Sequence, residues 1–442
     1  MKKVLVILYY WPPAGGSAVQ RWLKFCKYLR DYGWEPIVYA PENPQYPELD
    51  QELENEIPEG IRVIRQPILE PFKLYKKFVG IKKDEKLAAS MTMKSEPKGL
   101  GKVKNRLAFW VRSNIFIPDA RCFWIRPSVK YLTDFLREEK IDIIVTTGPP
   151  QSIQMIGYHL HKRLKIPWVA DFRDPWTSID FYHELRLTRW ADKRHHTLES
   201  RVLHSASHVI AIGPNMKEEF NRIGAKDVTV ITNGYDDTDL PEEASVISNK
   251  FSLVHLGTLS STRNSTSLWQ AISEKLEEDK QFAKDFELHL YGNTDHTAMK
   301  DLEAHHLSSY LSGTGFVPHK EGMKILAGSH VLLLLINKSI NAKGVITGKF
   351  FEYLATGRPI LLIGPLDGDA AKILEDCNGG LAADFDDVAG IRRQIDHLYN
   401  LYLNGEPFKQ NINVSRYSRR ELTGRLAEVL DLVQSQANAE KK

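Results

Sequence analysis

A lysine and a glutamate three residues apart at the head of an apolar helix could hold an anion and, beside it, a pair of neighbouring hydroxyls. In "GVITGKFFEYLATGRPILLIG" (344–364), Gly348 and Lys349 open a helical stretch and Glu352 lies within its first turns. A helix N-terminus favours an anion, and Lys349 sets a cation beside it. A carboxylate can accept two hydrogen bonds from vicinal sugar hydroxyls. The plainer reading of the same residues is a solvated lysine and a glutamate that complements the helix dipole. Gly357 and Pro359 turn the chain back into the next strand.

Two further stretches carry polar chemistry. In "WPPAGGSAVQRW" (11–22), Gly15 and Gly16 separate the apolar run "VLVILYY" from a helical pattern. Glycines there permit close backbone approach, so the loop is either an anion cradle or a tight turn. In "ADFRDPW", Asp171 and Asp174 fall at the carboxyl edge of a predicted strand. Either could act as a general base. Otherwise Asp174 caps a helix before Pro175 and Asp171 pairs with Arg173.

These residues need a scaffold that brings strand ends together. The chain has 442 residues, 42% hydrophobic and 26% charged, enough for two domains with separate cores. Strand and helix patterns alternate throughout, which predicts α/β folding with parallel sheets covered on both faces. The first half reads "VLVILYY", "WEPIVYA", "IRVIRQP", "IDIIVTTGPP", "PWVADF", "HVIAI" and "VTVITNGYD" as strands. The second reads "FSLVHLG", "FELHLYG", "GTGFV", "HVLLLLI", "RPILLIG" and "GGLAADF", with helices at 264–280, 319–328 and 387–403. The acidic, Pro-interrupted stretch 236–250 reads as a linker. The division is therefore 1–235, linker 236–250, a second domain 251–412, and a C-terminal helix and tail 413–442 from about Val414. Two doubly wound domains present strand ends at a cleft, where ligands of open α/β sheets bind.

Composition excludes several classes. A net charge of +3 carries no nucleic-acid signature. Cys26, Cys122 and Cys377 are widely spaced and form no disulfide or metal pattern, so no metal site is expected. No apolar run nears the roughly 20 residues that cross a bilayer. "MKKVLVILYYW" imitates a signal peptide, but its apolar run is short and leads into the strand–loop–helix unit that cleavage would destroy. A retained first strand and a cytoplasmic location are expected.

The ordered set of motifs resembles the family 4 glycosyltransferases of the two-Rossmann GT-B fold. "KFFEYLATGRPIL" is similar to the family's donor-site signature, and "YYWPPAGGSAVQR" to its N-terminal Gly-rich loop. "VITNGYD", "HLGTLSSTRN" and "YSRRELTGRLAEVL" resemble further family segments in the same order. The resemblance implies transfer of a sugar from a nucleotide-sugar, with retention, no metal and no cofactor, since the nucleotide-sugar is a substrate. It implies that Arg263 and Lys349 neutralise the donor diphosphate and that Glu352 binds the ribose. It implies that Gly16 lends an N–H to phosphate or sugar, with Gly15 beside it. Gly315 and Phe316 would line the base pocket, and Gly257, Thr258, Thr347 and Gly348 would complete the donor site. It also implies a C-terminal helix that crosses back to the N-terminal domain. One position departs: where many relatives carry a glutamate eight residues before the ribose-binding one, this chain has Gly344.

The stretch 72–106 holds eleven Lys/Arg and three Asp/Glu, with Phe109, Trp110, Phe116, Phe123 and Trp124 just beyond. Basic residues beside aromatics suit an anionic membrane surface, against the alternative of a solvated loop followed by core aromatics. The expected partners are thus a nucleotide-sugar, a glycan or lipid-linked acceptor and a membrane's inner face, with no nucleic acid. Alternatives are a nucleotide-sugar epimerase or phosphorylase of the same architecture, or a silent scaffold that binds a membrane partner.

Overall fold

The structure is a computed structural model that describes residues 1–70, 100–242, 249–408 and 412–440. The expected membrane-binding stretch lies outside the described residues up to 99. From Leu100 the chain is helical, to Asn114. Two compact units result. The first comprises Met1–Thr232 with Leu422–Lys442, the second Asn233–Glu421.

Unit 1 is built on a seven-stranded sheet among the described residues, in the order β3-β2-β1-β4-β5-β6-β7. The strands are β1 (Lys2–Ile7), β2 (Trp34–Pro41), β3 (Arg62–Gln66), β4 (Ile143–Gly148), β5 (Trp168–Phe172), β6 (His208–Ala211) and β7 (Val228–Val230). Every pairing is parallel. A parallel sheet is covered on both faces, which is why β1 reads as an unbroken apolar run. Its residues alternate between two cores. Leu5 and Ile7 pack with Trp124, Leu160 and Trp168, whereas Val4 and Val6 pack with Trp22, Phe25 and Cys26.

The last helix, Arg419–Ala439, completes that second core. Leu422, Leu426, Leu430 and Val433 are buried against it. Trp34 Nε1 donates to Asp431 Oδ1 at 3.0 Å, and Gln434 Nε2 to Asp142 Oδ1 at 3.0 Å. The helix begins later than the sequence suggests. A short 3₁₀ segment, Ile412–Tyr417, precedes it, because Arg419 N–H donates to Tyr235 O and Tyr235 N–H to Tyr417 O. The strand expected over "VTVITNGYD" is also shorter, ending at Val230.

Unit 2 carries a six-stranded parallel sheet among the described residues, ordered β10-β9-β8-β11-β12-β13. The strands are β8 (Phe251–Leu256), β9 (Phe286–Tyr291), β10 (Leu311–Gly315), β11 (Val331–Leu335), β12 (Ile360–Ile363) and β13 (Gly380–Ala383). Val331, Leu333 and Leu335 enter one core, Leu332 and Leu334 the other. The strand order reverses between β8 and β11, the place where open α/β sheets bind ligands.

Candidate functional site

Three neighbouring strands of unit 2 end in glycines. Gly257 follows β8, Gly292 follows β9 and Gly315 closes β10, with φ of 115°, 112° and 91°. Gly257 N–H donates to Tyr291 O at 2.8 Å, and Gly292 N–H to Gly315 O at 2.7 Å. A Cβ on Gly292 would lie 2.5 Å from Gly257 O, so the loops can stack this closely only without a side chain. The result is a bare backbone rim at the carboxyl edge of the sheet.

The helix Gly348–Ala355 abuts that rim with its first turn. Lys349 Nζ donates to Leu256 O at 3.1 Å and lies 3.0 Å from His255 Nε2. A Cβ on Gly257 would meet it at 3.6 Å. One turn on, Tyr353 Oη accepts the Leu256 N–H at 2.8 Å and pins the helix to β8. Burial holds the Lys349 ammonium well below the usual lysine range. The nearby Arg263 charge depresses it further, against the pull of Glu352. Thr347 stands at the position before the helix without capping it through its side chain, and its buried Oγ1 has no hydrogen-bond partner among the described residues.

Arg263 arrives from the loop after β8. Its Nε donates to Asn337 Oδ1 at 2.5 Å and its Nη1 to Thr258 O at 3.1 Å, so the guanidinium bridges the loops after β8 and β11. A cavity of about 210 Å³ opens beside it, lined in part by Thr262, Ser265, Lys338 and Phe385. Arg263, Lys349, Gly257, Thr258, Thr347 and Gly348 are thus brought together.

Glu352 faces His319, whose Nε2 is 3.2 Å from Oε1. His319 opens the helix His319–Gly328, four residues after Gly315. This contact draws the Gly315–Phe316 loop toward the helix that carries Glu352. The Phe316 side chain is 84% exposed and packs in no core.

In unit 1 the expectations change. Gly16 has φ 81° and precedes the helix Ser17–Tyr28, as a glycine at a helix start can. The Gly15 N–H, however, donates to Glu48 O at 3.0 Å, and a Cβ on Gly16 would meet Glu48 Oε2 at 3.4 Å. The Glu48 carbonyl therefore takes the Gly15 N–H, which is not offered to an anion, and the Glu48 carboxylate borders the loop at Gly16.

Asp171 is corrected more firmly. It is fully buried and accepts from Arg21 Nη2, Trp22 Nε1 and Thr147 Oγ1, each at 2.8 Å. Arg21 reaches on to Thr232 O and Ile231 O. Asp171 therefore locks β5 to the first helix and to the exit of β7, and its oxygens are committed, which removes it from catalysis. Its partner is Arg21, not Arg173, which instead donates to Ala18 O and Pro149 O. Asp174 caps no helix, because the residues after it form bends and turns up to Tyr182. Burial raises its carboxyl above the usual range, against the Arg173 charge.

Three residues here escaped the sequence reading: His255, Gly292 and His319. The signals were faint. A histidine inside an apolar strand reads as core, and "YG" after a strand reads as an ordinary turn. Among the described residues no group of three His, Cys, Asp or Glu side chains is placed to hold a metal ion. No helix among them is long and apolar enough to cross a membrane.

Residues 94–239 match the model described as Glycosyltransferase Family 4. Over that segment the sequence is similar to the family 4 glycosyltransferases, and with its two parallel-sheet units the chain has the GT-B fold that its motifs suggested. Sucrose-phosphate synthase from Thermosynechococcus elongatus superposes with a TM-score of 0.55 at 12% identity, over 100% of this chain and 98% of that one. A mutant S. aureus TarM in complex with fondaparinux, α-GlcNAc-glycerol and UDP gives 0.57 at 11% identity, over 99% of each. A putative UDP-N-acetylglucosamine 2-epimerase from Listeria monocytogenes gives 0.55 at 11%, over 100% and 98%. At these identities the likeness is one of fold. No curated protein matches the sequence.

Proposed function

We propose that the protein is a glycosyltransferase that moves a sugar from a nucleotide-sugar, with retention and without a metal, to a glycan or lipid-linked acceptor. The observation that carries this reading is the Lys349–Arg263 pair at a helix start beside a bare glycine rim. Two cations near enough for one to depress the other are costly in a partly buried site. A diphosphate relieves that cost, and its charge grows as the bond to the sugar breaks.

In this reading Arg263 and Lys349 take the leaving-group charge and Glu352 takes the ribose hydroxyls. Gly315 and Phe316 border the base, and the backbone around Gly344 takes the place of the family's upstream glutamate at the sugar. Unit 1 receives the acceptor, with Asp174 as the carboxylate nearest to general-base duty and Gly16 at its loop. The basic stretch 72–106 would hold the protein on the inner face of a membrane, close to a lipid-linked acceptor.

The test is a panel of nucleotide-sugars screened by thermal stabilisation, since a ligand of the folded state raises Tm by mass action. Turnover with a lipid-linked acceptor should follow for the donor that stabilises. Stabilisation by none would sink the proposal. The Listeria superposition keeps one rival in view. A nucleotide-sugar altered with no acceptor present would favour an epimerase.

A further inference from the structure

We propose that His255 is a positioning residue for the donor phosphates: the face of its imidazole carries the Lys349 ammonium, and the Leu333 carbonyl holds the ring in that attitude. The inference rests on the reading of Lys349 as a phosphate ligand.

His255 is fully buried on β8, and its Nδ1 lies 3.0 Å from Leu333 O on the adjacent strand β11. Nδ1–H is then the donor, and the ring is neutral at Nε2. Lys349 Nζ is 3.0 Å from Nε2 and 3.4 Å from Nδ1. An ammonium that approached along one nitrogen's lone pair would leave the other nitrogen far beyond contact. Near-equal approach to both sets Nζ over the ring, as cations sit over aromatic faces. Leu256 O, at 3.1 Å, holds the ammonium from a second direction.

The choice of a neutral ring has a chemical consequence. A carboxylate in its place would hold Lys349 equally well but would cancel its charge and compete with an incoming anion. An aliphatic side chain would leave the charge intact but let a flexible lysine wander. The imidazole orients the cation without neutralising it. Burial, and then Lys349 itself, hold the His255 pKa well below the usual histidine range, against the Leu333 carbonyl, so no second charge develops beneath the lysine.

The experiment measures binding of UDP, GDP and ADP, each alone, to the full chain by calorimetry. For the nucleotide that binds, His255→Leu should weaken affinity about tenfold, the loss of one cation–aromatic contact. His255→Phe restores a flat ring face and should stay within about threefold of wild type. In a Lys349→Ala background, His255→Leu should cost nothing further, because the group it positions is gone. Should His255→Leu fail to fold, His255→Gln takes its place, since Gln can still donate to Leu333 O but has no ring. Full additivity with Lys349→Ala, equal loss in the Phe and Leu variants, or no loss in Leu would each overturn the inference while the phosphate reading stands. If Lys349→Ala leaves nucleotide affinity unchanged, or wild type binds none of the three, the phosphate reading falls and this inference with it.

Discussion

Glu352 Oε1 lies 3.2 Å from His319 Nε2, and this contact joins the helix Gly348–Ala355 to the one that begins four residues after Gly315. The pair is partly exposed, with side-chain exposures of 29% and 50%. Such a pair adds about 0.2–1 kcal/mol to folding at most. Glu352→Ala should therefore leave Tm nearly unchanged and weaken donor binding by roughly tenfold or more, the scale of a hydrogen bond to a charged group. Kinetics that match wild type with every accepted donor would remove Glu352 from the site.

Arg263→Ala and Lys349→Ala should act mainly on turnover. Removing a group that stabilises developing charge costs on the order of 10²–10³ in kcat. Both variants should lower kcat more than they raise KM, because the leaving phosphate carries more charge in the transition state than in the bound donor. A change confined to KM would make them binding residues only.

Lys349 also makes stability depend on pH. Its folded pKa is depressed, whereas the unfolded chain has an ordinary lysine near about 10.4. Between those two values the unfolded state binds more protons, so stability rises with pH across that window. Below the folded value the penalty of burying the charge is fully present. Lys349→Met should raise Tm most at the low-pH end of the window, and its advantage should shrink as pH climbs toward about 10.4. A difference in Tm that stays flat with pH would show that the lysine is not strained by burial.

Asp171 and Asp174 should separate cleanly. Asp171→Ala leaves Arg21 buried without its carboxylate, a loss of about 3–5 kcal/mol. Its signature is a lowered Tm. Asp174→Asn should keep Tm and lower turnover, with donor affinity unchanged. The opposite pattern, an unstable Asp174→Asn and a normal Asp171→Ala, would reverse the two assignments.

Membrane attachment is tested with vesicles. Lys76, Lys77, Lys82 and Lys83, replaced together by Gln, should release the protein from anionic vesicles, since each basic residue near the surface is worth about 1 kcal/mol. Turnover on a soluble acceptor analogue should persist. Equal binding of wild type to neutral and anionic vesicles would return the stretch to a solvated loop.

Much of this was legible because it is local. Alternation of strand and helix patterns marks both sheets, and the helix His319–Gly328 has the bounds its periodicity predicts. Arg263, Lys349 and Glu352 were expected from the short stretches around them, and the structure brings Arg263 near Lys349 and Glu352 to His319. What escaped depends on distance along the chain. Asp171 finds Arg21 across 150 residues, and no local pattern records that partner. His255 looks like core because it is core, and its function comes from a lysine 94 residues away. The need for glycine at 292 arises from a carbonyl on the neighbouring strand end.

The final helix has a consequence for synthesis. The middle unit is one uninterrupted stretch and can form while translation continues. The flanking one cannot be finished then, because Leu422, Leu426, Leu430 and Val433 emerge only after the whole middle unit and their seat is the apolar face of Val4, Val6 and Trp22. Until they arrive, the nascent N-terminal portion displays greasy surface to its surroundings and invites chaperones. A shortened message ending near residue 232 would yield a sticky fragment, whereas a permuted gene that starts with the last helix would supply that cover first.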